Sequence, residues 1–310
     1  MAIEKGNIEI IKLLLSHNDI TNSQPNKDSH GETALNTAIE KGNIEIIKLF
    51  LDNPKIDPNA KSIFYSEEKK MLRFQGYFYY NNIEIIKLLL NHPNIDINPQ
   101  PNDSFIGYTA LNIALKNKND EIVKLLLSKP NIDVNSKTIR WYSKESSLII
   151  AVKNNNIEIV KLLLSKPNID INFQNEDNNN KDTVLNYSVR NNNIEIMKLL
   201  LSNKNINVNA KSFSYFEEET ALMIAIKNNN QEMIELLLNH PNIDVNPQIG
   251  IYGDTPLNYF IRNQNIEMVK RLLSYPNINV NSLSKQYQCL ETALILAIEN
   301  DDLNMVEILL

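Results

Sequence analysis

Lys116, Lys153, Arg190, Lys227 and Arg262 follow one another at intervals of 37, 37, 37 and 35 residues. Cations at a fixed interval can form a row of donors for carboxylate or phosphate groups. Glu40, Tyr79 and Glu299 hold the matching positions toward the two ends. A plainer cause gives the same pattern, because helix C-termini favour Lys and Arg through the helix dipole. Duplication of one ancestral segment would give it too. No constellation points to catalysis: there is neither a G-x-G-x-x-G nor a phosphate-binding loop. The histidines are His17, His30, His92 and His240. His92 and His240 share the context Asn-His-Pro-Asn, which reads as a helix end, and they stand too far apart to share a metal. Asp96, Asp133, Asp170 and Asp244 recur as turn residues. Cys289 is the single cysteine. The expectation is a protein with no enzymatic activity, no cofactor, no metal and no small-molecule substrate.

A second set of candidates is aromatic. Phe64 and Tyr65, Phe105 and Tyr108, Trp141 and Tyr142, Phe173, Phe213 with Tyr215 and Phe216, Tyr252 and Tyr287 all fall in loops. Exposed aromatics at regular spacing make good interface anchors, and Trp141 beside Arg140 is the best single candidate. The competing reading is that each loop tucks its aromatic against the next loop.

Both sets are positioned by an internal repeat. AIEKGNIEIIKL occurs at 2–13 and again at 38–49. Copies of the IEIIKLLL helix begin at 8, 44, 83, 120, 157, 194, 231, 266 and 303. Each is apolar at helical spacing, with charge at its second and fifth positions on a solvated face. A shorter helix precedes most copies: Thr109–Leu115, Ser146–Val152, Thr183–Val189, Thr220–Ile226, Thr255–Ile261 and Thr292–Ile298. Its Thr or Ser suits a helix N-cap. The Ala at its sixth position (Ala38, Ala114, Ala151, Ala225, Ala297) admits a close neighbour. Gly42-Asn43, Asn155-Asn156, Asn192-Asn193 and Asn229-Asn230 join the two helices, since Gly and Asn tolerate the left-handed conformation that ends a helix. Pro then stops the second helix before turns such as Asn131-Ile132-Asp133-Val134-Asn135.

T-A-L-x-x-A, then E-I-V-K-L-L-L, then I-D-V-N, resembles the ankyrin repeat across essentially the whole chain. Only Thr255-Pro256 keeps the family's usual Pro. Its usual His is replaced by Asn36, Asn112, Asn186 and Asn258, or by apolar Ile149, Met223 and Ile295. The period is also longer than the family's ~33 residues. The resemblance implies an all-α helix-turn-helix solenoid with hairpin-like fingers, running as one continuous array over 1–310. It also implies that the five cations face a concave groove, as a ladder about 40 Å long at the spacing of packed helices. One repeat is irregular: Leu72–Phe78 puts Tyr77 in the Ala position and Gly76 inside the helix, and local distortion is expected there.

Composition narrows the function. The net charge is −6, and the pI of about 5.4 argues against nucleic acid. One cysteine and no membrane span or leader indicate a cytoplasmic, intracellular setting. Asn102-Asp103-Ser104 reads as a chance glycosylation triplet. The Asn abundance suggests an AT-rich genome. The array begins and ends in mid-pattern, which suggests a fragment of a longer one or end-to-end association through Ile3, Leu303 and Leu310. The expected function is a protein-binding module whose groove and fingers hold a protein partner, with an acidic or phosphorylated one suited to the cations. The alternatives are a self-associating scaffold and a targeting domain of a larger protein.

Overall fold

The computed structural model describes residues 2–17, 33–59, 82–98, 106–107, 109–140, 143–176, 181–214, 217–248, 253–286 and 289–310. Two compact units divide the chain. Unit 1 is Met1–Asn154 with Ser165–Ile169, and unit 2 is Asn155–Leu164 with Asp170–Leu310. Unit 1 holds α1 (Ile8–Ser16), α2 (Ala34–Glu40), α3 (Ile44–Leu51), α4 (Ile83–Asn91), α5 (Ala110–Lys116), α6 (Asp120–Leu127) and α7 (Ser147–Lys153). Unit 2 holds α8 (Ile157–Leu164), α9 (Val184–Arg190), α10 (Ile194–Leu201), α11 (Ala221–Lys227), α12 (Gln231–Leu238), α13 (Pro256–Arg262), α14 (Ile266–Leu273), α15 (Ala293–Glu299) and α16 (Leu303–Leu309). The copies of the apolar helix expected from the sequence are α1, α3, α4, α6, α8, α10, α12, α14 and α16.

The caps follow from residue chemistry. Thr33, Thr109, Ser146, Thr183, Thr255 and Thr292 each accept a hydrogen bond from the backbone N–H three residues on. The turn pairs divide their labour. Gly42, Asn155, Asn192 and Asn229 take positive φ, while Asn43, Asn156, Asn193 and Asn230 accept from the N–H three residues on and so start the second helix. Lys118, Gln264 and Asp301 also take positive φ, between 53° and 54°. His92 is the C-cap of α4, and Nδ1 of His92 and of His240 accepts the N–H of Asn94 and Asn242.

The core is a seam of second-helix residues at positions three, four and seven. Ile46, Ile122, Ile159, Ile196 and Met233 are fully buried at the third position. Each such side chain is worth about 1.5–3 kcal/mol over leaving it exposed.

The fingers are short hairpins: β2 (Lys137–Arg140) with β3 (Ser143–Ser146), β4 (Ser212–Ser214) with β5 (Glu217–Glu219), and β6 (Ser284–Gln286) with β7 (Cys289–Glu291). Neighbouring fingers bond laterally. β1 (Ile106–Gly107) pairs antiparallel with β2. Further on, Lys181 and Phe213 exchange backbone hydrogen bonds at 2.9 and 3.4 Å.

Asparagine forms a second ladder along the turns. Nδ2 of Asn59, Asn98, Asn172, Asn209 and Asn246 donates to the backbone carbonyls of Asn94, Asn131, Asn205, Asn242 and Asn277. Their Oδ1 atoms accept from the backbone N–H of Asp96, Asp133, Asn207, Asp244 and Asn279 at 2.8 Å. One side chain thus satisfies two backbone groups of the next turn.

The repeats also come in couples. First helices pack closely as α5 on α7, α9 on α11 and α13 on α15, whereas α11 and α13 meet far less. The leading member of each couple carries Asn112, Asn186 or Asn258, whose Nδ2 donates to the carbonyl of Ser136, Ala210 or Ser282 in the following finger. The trailing member carries Ile149, Met223 or Ile295 there. At the end of its first helix, Asn154, Asn228 or Asn300 donates back to Leu115, Val189 or Ile261 of the leader.

Candidate functional site: clamped cations at the finger bases

The five recurring cations end the first helices α5, α7, α9, α11 and α13. Each meets a carboxylate from the base of a finger. The residue before each N-cap is acidic in five repeats running: Glu145, Asp182, Glu219, Asp254 and Glu291. Two turns of helix past the cap bring that repeat's own cation alongside in the first four of these. The leader's cation reaches the trailer's Glu from the other side.

In the first couple, Glu145 takes both Lys116, at 2.8 Å, and Lys153. In the second, Glu219 takes Arg190 at 2.9 Å and Lys227 at 2.6 Å, while Asp182 accepts from Arg190 Nε at 3.2 Å. In the third, Glu291 takes Arg262 at 2.7 Å, and Asp254 lies 3.5 Å from Arg262 Nε. Glu299 stands where a second cation would close that clamp. Arg190 and Arg262 also donate to Ser212 and Ser284 on the fingers.

The electrostatics therefore change along the array. At the position of the trailing cation the first and second couples carry Lys153 and Lys227, and the third carries Glu299. Burial alone would raise the Glu145 carboxyl, but hydrogen bonds from Lys116 and Lys153 outweigh it and hold the group below its ordinary 4.5. The carboxylates are nearly covered while the cations keep solvent access: Glu145 is 12% exposed, Lys116 36% and Lys153 28%.

Phe64, Tyr65, Phe105, Tyr108, Trp141, Tyr142, Tyr215, Phe216, Tyr252 and Tyr287 lie outside the described residues, as does the irregular stretch 72–78. Arg140 ends β2 and pairs with Ser143 across the hairpin. Phe173 lies in the loop after α8 and is half-buried. Phe213 is exposed on β4, with Ser212 and Glu219 buried on the opposite face.

The sequence reading missed two kinds of residue. The clamping acids were overlooked, although their place just before the cap Thr or Ser marks them at five repeats. Tyr187 and Tyr259 were overlooked as well. They are half-buried three residues before Arg190 and Arg262, on the same helix side. Among the described residues no group of three or more His, Cys, Asp and Glu could hold a metal, and no helix is long and apolar enough to cross a membrane.

Comparison with known proteins agrees with the architecture. A sequence model described as ankyrin repeats (3 copies) matches residues 1–62, 77–138, 148–249, 204–284 and 222–310. Among solved structures, the chain is similar to the ankyrin repeat domain of Bcl-3, a unique member of the IkappaB protein family. The TM-score is 0.56 at 19% identity, over 76% of this chain and 96% of that one. That likeness is one of fold. No curated protein matches the chain.

Proposed function

The chain belongs to the ankyrin repeat family, and from that premise we propose that it is a non-catalytic module whose clamped cations hold an acidic or phosphorylated protein partner. Ankyrin repeats are in general protein–protein interaction modules. Lys116 and Lys153 serve in the first unit and Arg190, Lys227 and Arg262 in the second, each set with its own finger loops as flanking anchors.

The observation that carries the reading is the clamp in the first couple. Lys116 and Lys153 meet on one nearly covered carboxylate, and both keep solvent access. Their geometry is fixed before any partner arrives, which lowers the ordering cost of binding. A partner carboxylate or phosphate would approach the two ammonium groups from their solvent-facing side. In the third couple Glu299 holds the place of Lys153 and Lys227, so that clamp contributes less.

The test is a paired capture from cell lysate, followed by titration of the captured protein. Lys116→Glu with Lys153→Glu should abolish capture. Arg262→Glu should weaken it less, and rising salt should weaken the wild-type complex. Equal capture by the wild type and the Lys116→Glu, Lys153→Glu variant refutes the site. Specific turnover by the purified chain, removed by a point substitution, refutes the non-catalytic reading.

A further inference from the structure

Glu145, Glu219 and Glu291 hold one place, just before the cap of a trailing first helix. In the first two couples both oxygens of that carboxylate are engaged. Glu145 accepts from Lys116 through Oε2 and from Lys153 through Oε1. Glu219 meets Arg190 through Oε2 at 2.9 Å and Lys227 through Oε1 at 2.6 Å. Glu291 repeats half of this arrangement. Its Oε2 accepts from Arg262 Nη2 at 2.7 Å, and its Oε1 has no partner among the described residues. The side chain is nonetheless more than nine-tenths covered, at 9% exposed.

The cause is residue 299. The Lys that serves Oε1 ends the trailing helix, seven residues past its cap, and α15 carries Glu299 there. The difference is set inside the couple. Glu219 takes both of its cations from its own couple although another repeat follows it directly, and Arg262 of that repeat engages Asp254 and Glu291 instead.

The place is also rich in carboxylate. Arg262 lies against both Asp254 and Glu291, and Asp254 keeps a buried Oδ1 with no partner among the described residues. Glu299 is exposed at the position from which a Lys reaches the same oxygen in the other couples. Carboxylates so placed favour a cation between them.

We infer that Glu291 Oε1 and Glu299 hold the ammonium group of a lysine from a protein partner, which enters from solvent to the place that Lys153 and Lys227 fill in the other couples. The chain itself shows the fit, since a Lys Nζ sits on the equivalent oxygen in both. A lysine suits the place better than an arginine. The flat guanidinium fork pairs best with two carboxylate oxygens, and Oε2 is already taken by Arg262. A compact ammonium needs only the one oxygen and turns its other donors to Glu299. The first couple thus presents cations to a partner, and the third presents a carboxylate.

The probe is the peptide acetyl-Ala-Lys-Ala-amide, titrated into the full chain with its glutamate carboxyl carbons isotope-labelled and followed by NMR. A saturable shift of the Glu291 and Glu299 carboxyls is expected. Those of Glu145 and Glu219 should stay unmoved, because their oxygens are engaged from within. Norleucine in place of the peptide's lysine should abolish the shift, and arginine should bind at least threefold more weakly. Glu299→Lys should weaken binding at least tenfold and, in the chain alone, shift the Glu291 carboxyl as an internal lysine closes the clamp. Glu291→Gln should weaken binding at least fivefold. No lysine-dependent shift at Glu291, a shift that Glu299→Lys leaves in place, or arginine binding as tightly as lysine overturns the inference. So does spermidine shifting the same two carboxyls with an affinity at least tenfold above the peptide's, since the occupant would then be a free polyamine. Glu299 is exposed, so its substitution does not put the fold at risk. Lys116 and Lys153 are unchanged in every variant, so this result and that for the clamped cations are independent.

Discussion

Ser147→Ala should unsettle the first couple, and Ala221→Ser should steady the second. Asn112 is wholly buried; its Nδ2 donates to the Ser136 carbonyl at 3.2 Å and its Oδ1 accepts from Ser147 Oγ at 2.8 Å. Asn186 and Asn258 are equally buried and keep the first bond, but their Oδ1 atoms have no partner. The cause is one atom: Ala221 and Ala293 stand where Ser147 stands. Removing the Ser147 hydroxyl leaves a buried acceptor unpaired, at a cost of about 1–3 kcal/mol. Adding one at Ala221 or Ala293 should return about 1 kcal/mol each, in a space that already holds a serine in the first couple. Long arrays unfold in parts, so the urea midpoint should be read together with amide exchange in α5, α9 and α13. Ser147→Ala should speed exchange in α5, and Ala221→Ser should slow it in α9. If Ser147→Ala is neutral and Ala221→Ser destabilises, the hydroxyl–amide bond is not what holds the Asn in place, and the account of the couples fails with it.

The clamp predicts a pH response. Because the folded Glu145 carboxyl lies below its ordinary 4.5, its contribution is present above that value and is lost as pH falls through the folded value. Glu145→Gln should lower the unfolding free energy at pH 7, read from the urea midpoint, by about 1 kcal/mol, and the gap to wild type should narrow as pH falls below 4.5. Gln264→Gly relieves a positive φ of 53° and should stabilise by about 1 kcal/mol, seen as a higher urea midpoint. Asn209→Asp keeps the acceptor for Asp244 and loses the donor to Asn242; faster exchange over 242–246, with α12 unchanged, is the expected signature.

The helices were legible because their causes are local. The apolar spacing of IEIIKLLL, the cap Thr and the Gly or Asn turn each act within four or five residues, and the resemblance rested on them. The clamps were harder to see because their partners lie apart: Lys116 and Glu145 are 29 residues apart in the chain. Only the finger's fold brings them together. The abundance of asparagine suggests base composition, and the same residues have a structural use: Asn98, Asn172, Asn209 and Asn246 each hold the backbone of the next turn. Composition cannot tell a ladder from a bias when both repeat in phase. The coupling of repeats was written in the alternation of Asn112, Asn186 and Asn258 with Ile149, Met223 and Ile295, which looks like noise until the first helices are seen to pack in twos.

That alternation limits how such a gene can change length. A duplication or loss of one repeat would set two leaders or two trailers side by side. Two trailers would bring apolar residues to the place of the finger-holding Asn, and a finger carboxylate would lose the cation supplied by its leader. A duplication of two repeats reproduces every joint unaltered. Descendants of this array should therefore differ in length by even numbers of repeats, in steps of about 74 residues.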